Sequence, residues 1–253
     1  ISIWHESRCQ KKSMSIRKIP EYLRFDHMTL IESRYAPESI INLLENSVSA
    51  HLSIVVGGQP HAGKTELVKY LTTKIPHNEK AGVYEDNQEI HYRKINPNKK
   101  CVEFFVDDKI TYPDIIKAGL RHNIDWILLS ESRGPEVAHL LNSLSTGSYC
   151  MTTMHLDDVR DTPDRMYNML GSSNINERFI NSIYKYIDLV ILIECDKHEK
   201  RRIKQVGFLS RENGNNQCTI IYEDGSFTDE KIPETITNKF SKKGIMNIYE
   251  KVN

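Results

Sequence analysis

Several classes of protein are excluded or disfavoured by features that this sequence lacks. The chain has five cysteines and no C-x-x-C pair, so the pattern offers no disulfide framework or structural zinc site and favours a reducing compartment. No apolar run reaches the roughly 18 residues that a transmembrane helix requires. Lys plus Arg and Asp plus Glu both number 34, which leaves a formal net charge of zero. Direct nucleic-acid binding is therefore disfavoured, and protein partners are favoured.

The composition is that of a folded domain. Hydrophobic residues make up 39% of the chain, which is enough for a packed core, and 253 residues allow one large domain with a small appendage. Residues 1–35 carry scattered basic side chains with little periodicity, and the chain opens at Ile1 rather than Met. We expect them to be the tail of an N-terminal domain and a linker. Residues 36–253 are the predicted main domain.

Residues 50–195 predict strands that alternate with helices. Short apolar runs such as 52–56 and 127–130 are typical of buried strands. The alternation predicts an α/β fold with a mostly parallel sheet and helices on both faces. In the C-terminal part, 199–253, two apolar runs around Asn213-Gly214 predict an antiparallel hairpin, and the last stretch predicts a helix.

Residues 58–65 fit the phosphate-binding pattern G-x-x-x-x-G-K-[ST], with an apolar strand pattern before them and a helix pattern after them. In such a loop, main-chain N–H groups and a helix N-terminus bind phosphates. Lys64 would bridge the β- and γ-phosphates, and the Thr65 hydroxyl would ligate Mg²⁺. An ordinary glycine-containing turn is the alternative. The predicted ATP-binding residues are Gly58, Gln59, Pro60, His61, Ala62, Gly63, Lys64, Thr65 and Glu66.

Acidic residues follow two of the predicted strands. Glu131 ends the strand 127–130, and Asp86 and Glu89 follow a shorter strand that ends at Tyr84. Because parallel strands present their carboxyl ends at one edge of a sheet, these carboxylates are candidates for the metal shell and for activating water. The alternative is that they cap turns or lie on a solvated surface.

His155 also ends a predicted strand. It could sense a γ-phosphate by hydrogen bonding, and an ordinary strand-end histidine is the alternative. A metal cluster of His155, Asp157 and Asp158 is disfavoured, because a carboxylate pair at a helix start is an ordinary cap.

Four segments in order resemble the sequence boxes of the secretion ATPase superfamily, the motors of type II and type IV secretion and of type IV and tight-adherence pili. Residues 58–65 resemble the Walker A box, and 84–90, which read YEDNQEI, resemble the Asp box. Residues 127–133, which read ILLSESR, resemble the Walker B box, and 145–155, which end in Met-His, resemble the His box. The resemblance covers about 15–195, which is most of the chain.

This resemblance implies a RecA-like P-loop NTPase that hydrolyses ATP with Mg²⁺ and retains a remnant of an N-terminal domain. Lys64 is then expected to stabilise phosphates, Thr65 and Glu131 to serve the metal, and Glu89 to orient or activate water. Arg121, before the Walker B strand, resembles an arginine that neutralises phosphate charge within its own or a neighbouring subunit. A surface arginine is the alternative. The expected catalytic residues are Glu131, Glu89, Lys64, Arg121 and His155.

The resemblance also implies an assembly. Members of this superfamily form hexameric rings, so we expect a homo-oligomer of six with active sites at subunit borders. The expected partners are inner-membrane platform proteins of a secretion or pilus machine. The expected location is cytoplasmic and peripheral, at the inner face of a bacterial membrane. Secretion, conjugation and pilus assembly stay open as the role.

Some residues depart from the family pattern. Ser130 stands where the family has glycine before the Walker B glutamate, and Gln59 and His61 replace loop glycines. Glu66 stands where many relatives have Thr or Ser, and a carboxylate there is unfavourable near phosphate unless it points away. These departures leave open a second interpretation, a nucleotide-binding assembly or regulatory protein with degenerate catalysis.

Overall fold

A large mixed sheet organises the chain in the computed structural model, which describes residues 2–5, 7–8, 10–16, 18–107, 109–171, 176–198 and 200–251. The strands within these ranges are β1 (Ser2–Trp4), β2 (Ser13–Ser15), β3 (Ile54–Gly58), β4 (Lys80–Glu85), β5 (Lys100–Phe105), β6 (Trp126–Leu129), β7 (Tyr149–Met154), β8 (Leu189–Cys195), β9 (Arg201–Glu212), β10 (Asn215–Glu223) and β11 (Ser226–Phe227).

The helices of the described residues lie between and after these strands. They are α1 (His27–Glu32), α2 (Glu38–Ser49), α3 (Lys64–Thr72), α4 (Tyr92–Ile95), α5 (Tyr112–Gly119), α6 (Glu136–Ser145), α7 (Thr162–Asn168), α8 (Glu177–Tyr186) and α9 (Glu234–Lys242). Two 3₁₀ turns cover Leu120–His122 and Val159–Asp161.

The nine-stranded sheet has the order β11-β10-β9-β8-β3-β7-β6-β4-β5. All pairs from β8 to β5 are parallel, whereas β9, β10 and β11 are antiparallel. This confirms the predicted α/β class with its mostly parallel sheet. The predicted hairpin is also present, and Asn213 and Gly214 at its turn both have positive φ, at 50° and 86°. Positive φ at both positions is what a two-residue hairpin turn needs to match the strand twist.

Strand β3 lies near the middle of the sheet because both of its faces are apolar. Ile54 and Val56 belong to one buried cluster and Val55 to the other, as the two-residue period of a strand requires. Helices α2, α3 and α9 contribute to the first cluster, and α5, α6 and α8 to the second. The predicted cover of helices on both faces is thus confirmed, and β3 ends where the phosphate-binding pattern begins.

The described part of residues 1–35 contains two short strands and one helix. Strands β1 and β2 pair antiparallel in a separate two-stranded sheet. Helix α1 begins at a capping box, in which the Asp26 carboxylate accepts from the Thr29 N–H and the Thr29 hydroxyl accepts from the Asp26 N–H. Six helical residues are too few to display an apolar period, so the sequence pattern missed this helix.

Packing also continues across residue 35. Leu30 and Tyr35 are buried in the same apolar cluster as α2 and α3. Whether a domain boundary lies at residue 35 stays a prediction. Helix α7 was also missed, although Pro163 in its first turn is a helix-start signal. No helix in the described ranges has both the length and the apolar character that crossing a membrane demands.

Asp188 joins three parts of the fold at the start of β8. Its carboxylate is 3% exposed, accepts from the Ser53 N–H at 2.9 Å and pairs with the Lys239 ammonium of α9 at 2.6 Å. Burial raises the pKa of this carboxyl group, and Lys239 opposes that shift. The C-terminal helix is therefore fixed to the two central strands by one buried acid.

Replacing this acid should destabilise the fold. We expect Asp188→Ala to lower the free energy of unfolding by roughly 3 kcal/mol, because it leaves the Ser53 N–H and the Lys239 ammonium without their acceptor. Urea denaturation followed by circular dichroism measures this loss. Asp229→Ala, at an exposed position, is the control, with an expected change below about 0.5 kcal/mol. Equal stabilities for the two variants would contradict the assignment.

Candidate active site

A cleft of about 520 Å³ lies where the carboxyl ends of β3, β4, β6 and β7 meet. It is lined by residues from all four segments that the sequence analysis singled out: Lys64, Thr65, Glu89, Glu131 and His155. Parallel pairing of these strands brings their ends to one edge of the sheet.

The loop after β3 has the backbone of a phosphate-binding loop. Gly58 has φ 149°, and a Cβ atom there would lie 2.5 Å from the Ile193 carbonyl oxygen of β8, so only glycine fits. Gly63 has φ 97° and precedes α3 without a side-chain cap. Because Gly63 has no side chain, the cap position offers no acceptor to the first N–H groups of α3. Uncapped N–H groups at a helix N-terminus bind anions.

Residues 59–62 form a tight turn within this loop. The Ala62 N–H donates to the Gln59 carbonyl oxygen at 3.2 Å, Pro60 takes the second position, and His61 takes the third with φ 65°. This is the pattern of a type II turn, whose third residue is usually glycine. His61 thus adopts a left-handed conformation that glycine adopts most readily. The Gln59 side chain donates to Asp157.

Lys64 is held at the mouth of the loop. Its Nζ donates to the carbonyl oxygens of Gly58 at 2.8 Å and Gln59 at 3.0 Å, and lies 3.3 Å from His155 Nδ1. The side chain is 8% exposed, so its charge is held where a bound anion would be shielded from water.

Thr65 and Glu89 meet across the cleft. The Thr65 hydroxyl donates to Glu89 Oε2 at 3.1 Å. The turn that carries Glu89 is fixed by Glu85, whose buried carboxylate accepts from the N–H groups of Glu89 at 3.0 Å and Ile90 at 2.8 Å. Burial raises the pKa of Glu85 to about 7. The sequence placed Glu85 in the Asp box but did not indicate this supporting role.

A chain of ion pairs connects the remaining predicted residues. Glu131 lies 3.0 Å from His155 Nε2 and 3.1 Å from Arg133 Nε, and Arg133 also pairs with Asp86 at 2.8 Å. Because Lys64 can only donate and Glu131 can only accept when ionised, the neutral His155 that satisfies both carries its proton on Nε2. Contacts thus run from Lys64 through His155 and Glu131 to Arg133, with the Glu131 carboxylate between the His155 ring and the Arg133 guanidinium group.

The unusual residues at positions 66 and 130 also have partners. Glu66 pairs with Lys69 at 3.1 Å and lies 4.0 Å from Arg24, so its charge is balanced by cations. Lys69 is fully buried and also donates to the Pro20 carbonyl oxygen at 2.8 Å. The Ser130 hydroxyl lies 3.4 Å from the Tyr112 hydroxyl.

Arg121 does not reach this cleft within the chain. It lies in the 3₁₀ turn Leu120–His122, which precedes β6, whereas Glu131 follows β6. The two residues are therefore at opposite ends of the same strand. A role for Arg121 in its own subunit gains no support from this placement, and a role across a subunit border stays a prediction.

Sequence reasoning missed residues from two distant segments that line the cleft. Lys18, Pro20 and Arg24 approach from the N-terminal region, and Arg201 approaches from the start of β9. Arg201 Nε donates to the His61 carbonyl oxygen at 3.3 Å. No motif in the sequence marks Arg201, because its place depends on the order of strands in the sheet.

The donors in the cleft fit a magnesium ion bound together with phosphates. Within the described ranges, no group of three or more His, Cys, Asp and Glu side chains forms a metal site by itself. Mg²⁺ rarely needs such a cage, since it is usually held by one or two carboxylates, water and substrate phosphates. Thr65, Glu89 and Glu131 supply oxygen donors of this kind. Asp158, from the disfavoured metal cluster, instead caps a 3₁₀ turn and pairs with Arg160.

Two relatives resemble the chain over about three quarters of its length. An uncharacterised protein of Bacillus anthracis is 26% identical over 208 residues, which are 77% of this chain and 47% of that protein. A putative conjugal transfer protein of Mycobacterium tuberculosis is 25% identical over 196 residues, which are 74% of this chain and 55% of that protein. The chain spans about half the length of the curated relatives it matches.

A solved structure and a family model identify the fold and the family of this chain. The crystal structure of the VirB11 ATPase from the Brucella suis type IV secretion system, in complex with sulphate, superposes with a TM-score of 0.62 at 25% identity. The match covers 72% of this chain and 54% of the VirB11 chain, and it confirms the RecA-like fold. The sequence model of the type II/IV secretion system protein family matches residues 8–247. This chain therefore belongs to the type II/IV secretion system protein family.

Proposed function

We propose that this chain binds and hydrolyses ATP with Mg²⁺, as the motor subunit of a bacterial machine for secretion, conjugation or pilus assembly. The observation that carries the proposal is the meeting of Lys64, Glu89, Glu131 and His155 in one cleft beside a phosphate-binding loop. The likeness to the VirB11 ATPase supports the same activity.

The loop and Lys64 would bind the triphosphate. The N–H groups at the start of α3 offer hydrogen bonds and positive potential to the phosphates. Lys64 Nζ would exchange its contacts with two main-chain oxygens for phosphate oxygens, which carry more negative charge. The buried ammonium group would have hydrogen-bond acceptors both in the empty loop and in the loop with bound phosphates. Lys64 is therefore a suitable switch between these two states.

The carboxylates would direct the attack of water on the γ-phosphate. Glu89 and Glu131 lie at the ends of different strands on the same side of β3, where an attacking water would be held. Bound Mg²⁺, held by Thr65 and Glu131, would act as a Lewis acid that neutralises phosphate charge. The contacts of Glu131 with His155 and Arg133 fix the direction of its carboxylate.

His155 would couple the presence of phosphate in the loop to the residue that follows the Walker B strand. It touches Lys64 through Nδ1 and Glu131 through Nε2. If Lys64 turns to a phosphate, His155 loses one of its two partners. The ring is then able to move towards the phosphate, and such a movement would change the surroundings of Glu131. This links nucleotide occupancy to the position of the catalytic carboxylate.

We place this activity in a ring of six copies that acts with inner-membrane platform proteins at the cytoplasmic face of the membrane. The family membership supports this placement. Arg121 lies outside the cleft of its own chain, so a phosphate contact by Arg121 requires a neighbouring subunit.

A nucleotide-binding protein without turnover is the second candidate. The observation that favours it is the double pairing of Glu131 with His155 and Arg133, which occupies a carboxylate that the proposed hydrolysis needs. Steady-state phosphate release separates the two candidates, because tight ATP binding without turnover would favour the second.

Removing the loop lysine should abolish turnover without unfolding the chain. We expect Lys64→Ala to reduce phosphate release roughly 100-fold or more, because the charge on the transferred phosphoryl group loses its main cation. Lys117→Ala, at an exposed position of α5, is the matched control and should retain full turnover. Unchanged phosphate release by Lys64→Ala, with the same melting temperature, would contradict the site.

Neutralising the Walker B carboxylate should separate binding from hydrolysis. We expect Glu131→Gln to bind ATP with near-normal affinity and to release phosphate roughly 100-fold more slowly, because a neutral amide holds a metal ion more weakly than a carboxylate and is a far poorer base. Filter retention of radiolabelled ATP and a phosphate assay measure the two steps. Glu177→Gln, at the exposed start of α8, is the control. If Glu131→Gln turns over normally, another acid performs this step.

The buried Glu85 should make stability depend on pH. Its pKa is about 7 in the folded chain, against an ordinary value of 4.5, so the folded state retains a proton that the unfolded state releases between these pH values. Glu85 therefore stabilises the fold below pH 4.5, and this contribution is lost as the pH rises towards 7. Glu85→Gln stays neutral and should gain roughly 2 kcal/mol relative to the unsubstituted chain between pH 5 and 8.

Urea denaturation without nucleotide at a series of pH values tests this expectation. Glu230→Gln, at an exposed position, serves as the control and should run parallel to the unsubstituted chain. A constant difference between Glu85→Gln and the unsubstituted chain at all pH values would show that Glu85 titrates normally.

A further inference from the structure

Arg201 lies beside the phosphate loop because of the way the sheet reverses direction. Strand β8 pairs parallel with β3, so that Ile193 is opposite Gly58. Strand β8 continues to Cys195, and the chain then turns and returns antiparallel as β9, whose first residue, Arg201, is opposite Cys195. The return therefore starts at the edge of the sheet where the phosphate loop leaves β3.

The side chain of Arg201 lies along the loop and reaches the cleft. Its Nε donates to the His61 carbonyl oxygen at 3.3 Å, and a Cβ atom on Gly63 would lie 3.1 Å from its Cδ. The residue is exposed and lines the same cleft as Lys64. The aliphatic stem thus covers the peptides 61–63, while the guanidinium group is near the place where phosphates bind.

The contact with His61 stabilises the least favourable part of the loop. His61 holds a positive φ without being glycine, a conformation that persists only when its surroundings favour it. A hydrogen bond from Arg201 to the carbonyl of this residue favours the turn. Arg201 is therefore placed to position the loop as well as to offer its own charge.

Arg201 is on the opposite side of β3 from the hydrolytic residues. Glu89, Glu131 and His155 follow β4, β6 and β7, which all lie on one side of β3, whereas β8 and β9 lie on the other. We therefore expect a cation at this position to lie near the part of a bound phosphate chain that is remote from the bond to be cleaved. That part is common to ATP and ADP.

We propose that Arg201 is a nucleotide-binding residue that contacts the phosphates shared by ATP and ADP and holds the loop at His61. This inference rests on the proposed function. A guanidinium group presents a planar fork of N–H donors that matches phosphate oxygens. Because the contact is the same before and during cleavage, it increases affinity and leaves the rate of the chemical step unchanged.

Equilibrium binding of fluorescent ATP and ADP to the chain and its variants tests the proposal. Arg201→Ala should weaken the binding of both nucleotides about tenfold and raise KM to the same extent, while kcat changes less than twofold. Arg201→Lys should recover part of the affinity, since it restores the charge without the fork. If the alanine variant does not fold, Arg201→Gln, which keeps an aliphatic stem, should show the same weakening.

The neighbouring Arg202 provides the matched control. It follows Arg201 on the strand, so its side chain points to the other face, where it pairs with Glu194. Arg202→Ala should bind both nucleotides like the unsubstituted chain.

Three outcomes would overturn the proposal, and they differ from a failure of the proposed function. Equal affinities for Arg201→Ala and Arg202→Ala would exclude the contact. A fall in kcat at constant affinity would place Arg201 in the chemical step. A loss confined to ATP would place it at the γ-phosphate. If the unsubstituted chain binds neither nucleotide, the proposed function and this proposal fail together.

Discussion

The contacts of His155 join the two halves of the site, and the rest of the arrangement depends on them. Its ring lies between the Lys64 ammonium and the Glu131 carboxylate, at 3.3 Å and 3.0 Å. These contacts are possible because β7 is hydrogen-bonded to both β3 and β6, so the residue that follows β7 lies between the loop and the acid. Ladder hydrogen bonds of the sheet thus set the distances on which the proposed chemistry depends.

Local patterns in the sequence predicted the strands and most of the helices that surround the cleft, and several of the residues that line it. The phosphate loop is contiguous, so Lys64 and Thr65 were predicted from spacing alone, and Glu89, Glu131 and His155 were predicted because each follows an apolar strand. The structure brings all five to one cleft. Arg201 could not be found in this way, since its position depends on β9 returning beside β8. The pairing of Arg133 with Glu131 and Asp86 could not be predicted either, because it joins the ends of two strands that are distant in sequence.

The departures from the family pattern have local physical explanations. His61 takes the left-handed conformation of the missing glycine, and the Ala62 N–H and Arg201 support the turn on either side of it. The charge of Glu66 is balanced by Lys69, which also holds the N-terminal segment through the Pro20 carbonyl oxygen. The left-handed turn at His61 is therefore supported from both sides, and the helix after the loop is tied to the N-terminal segment of the chain.

The central claim is that this cleft holds a triphosphate through the loop and Lys64. Isothermal titration calorimetry with ATP and magnesium tests it most directly, with the unsubstituted chain and Lys64→Ala compared at the same concentrations. The account predicts saturable heat with one site per chain for the unsubstituted protein and a large loss of affinity for the variant. Equal titration curves for the two proteins, or the lack of any heat with the unsubstituted chain, would contradict it.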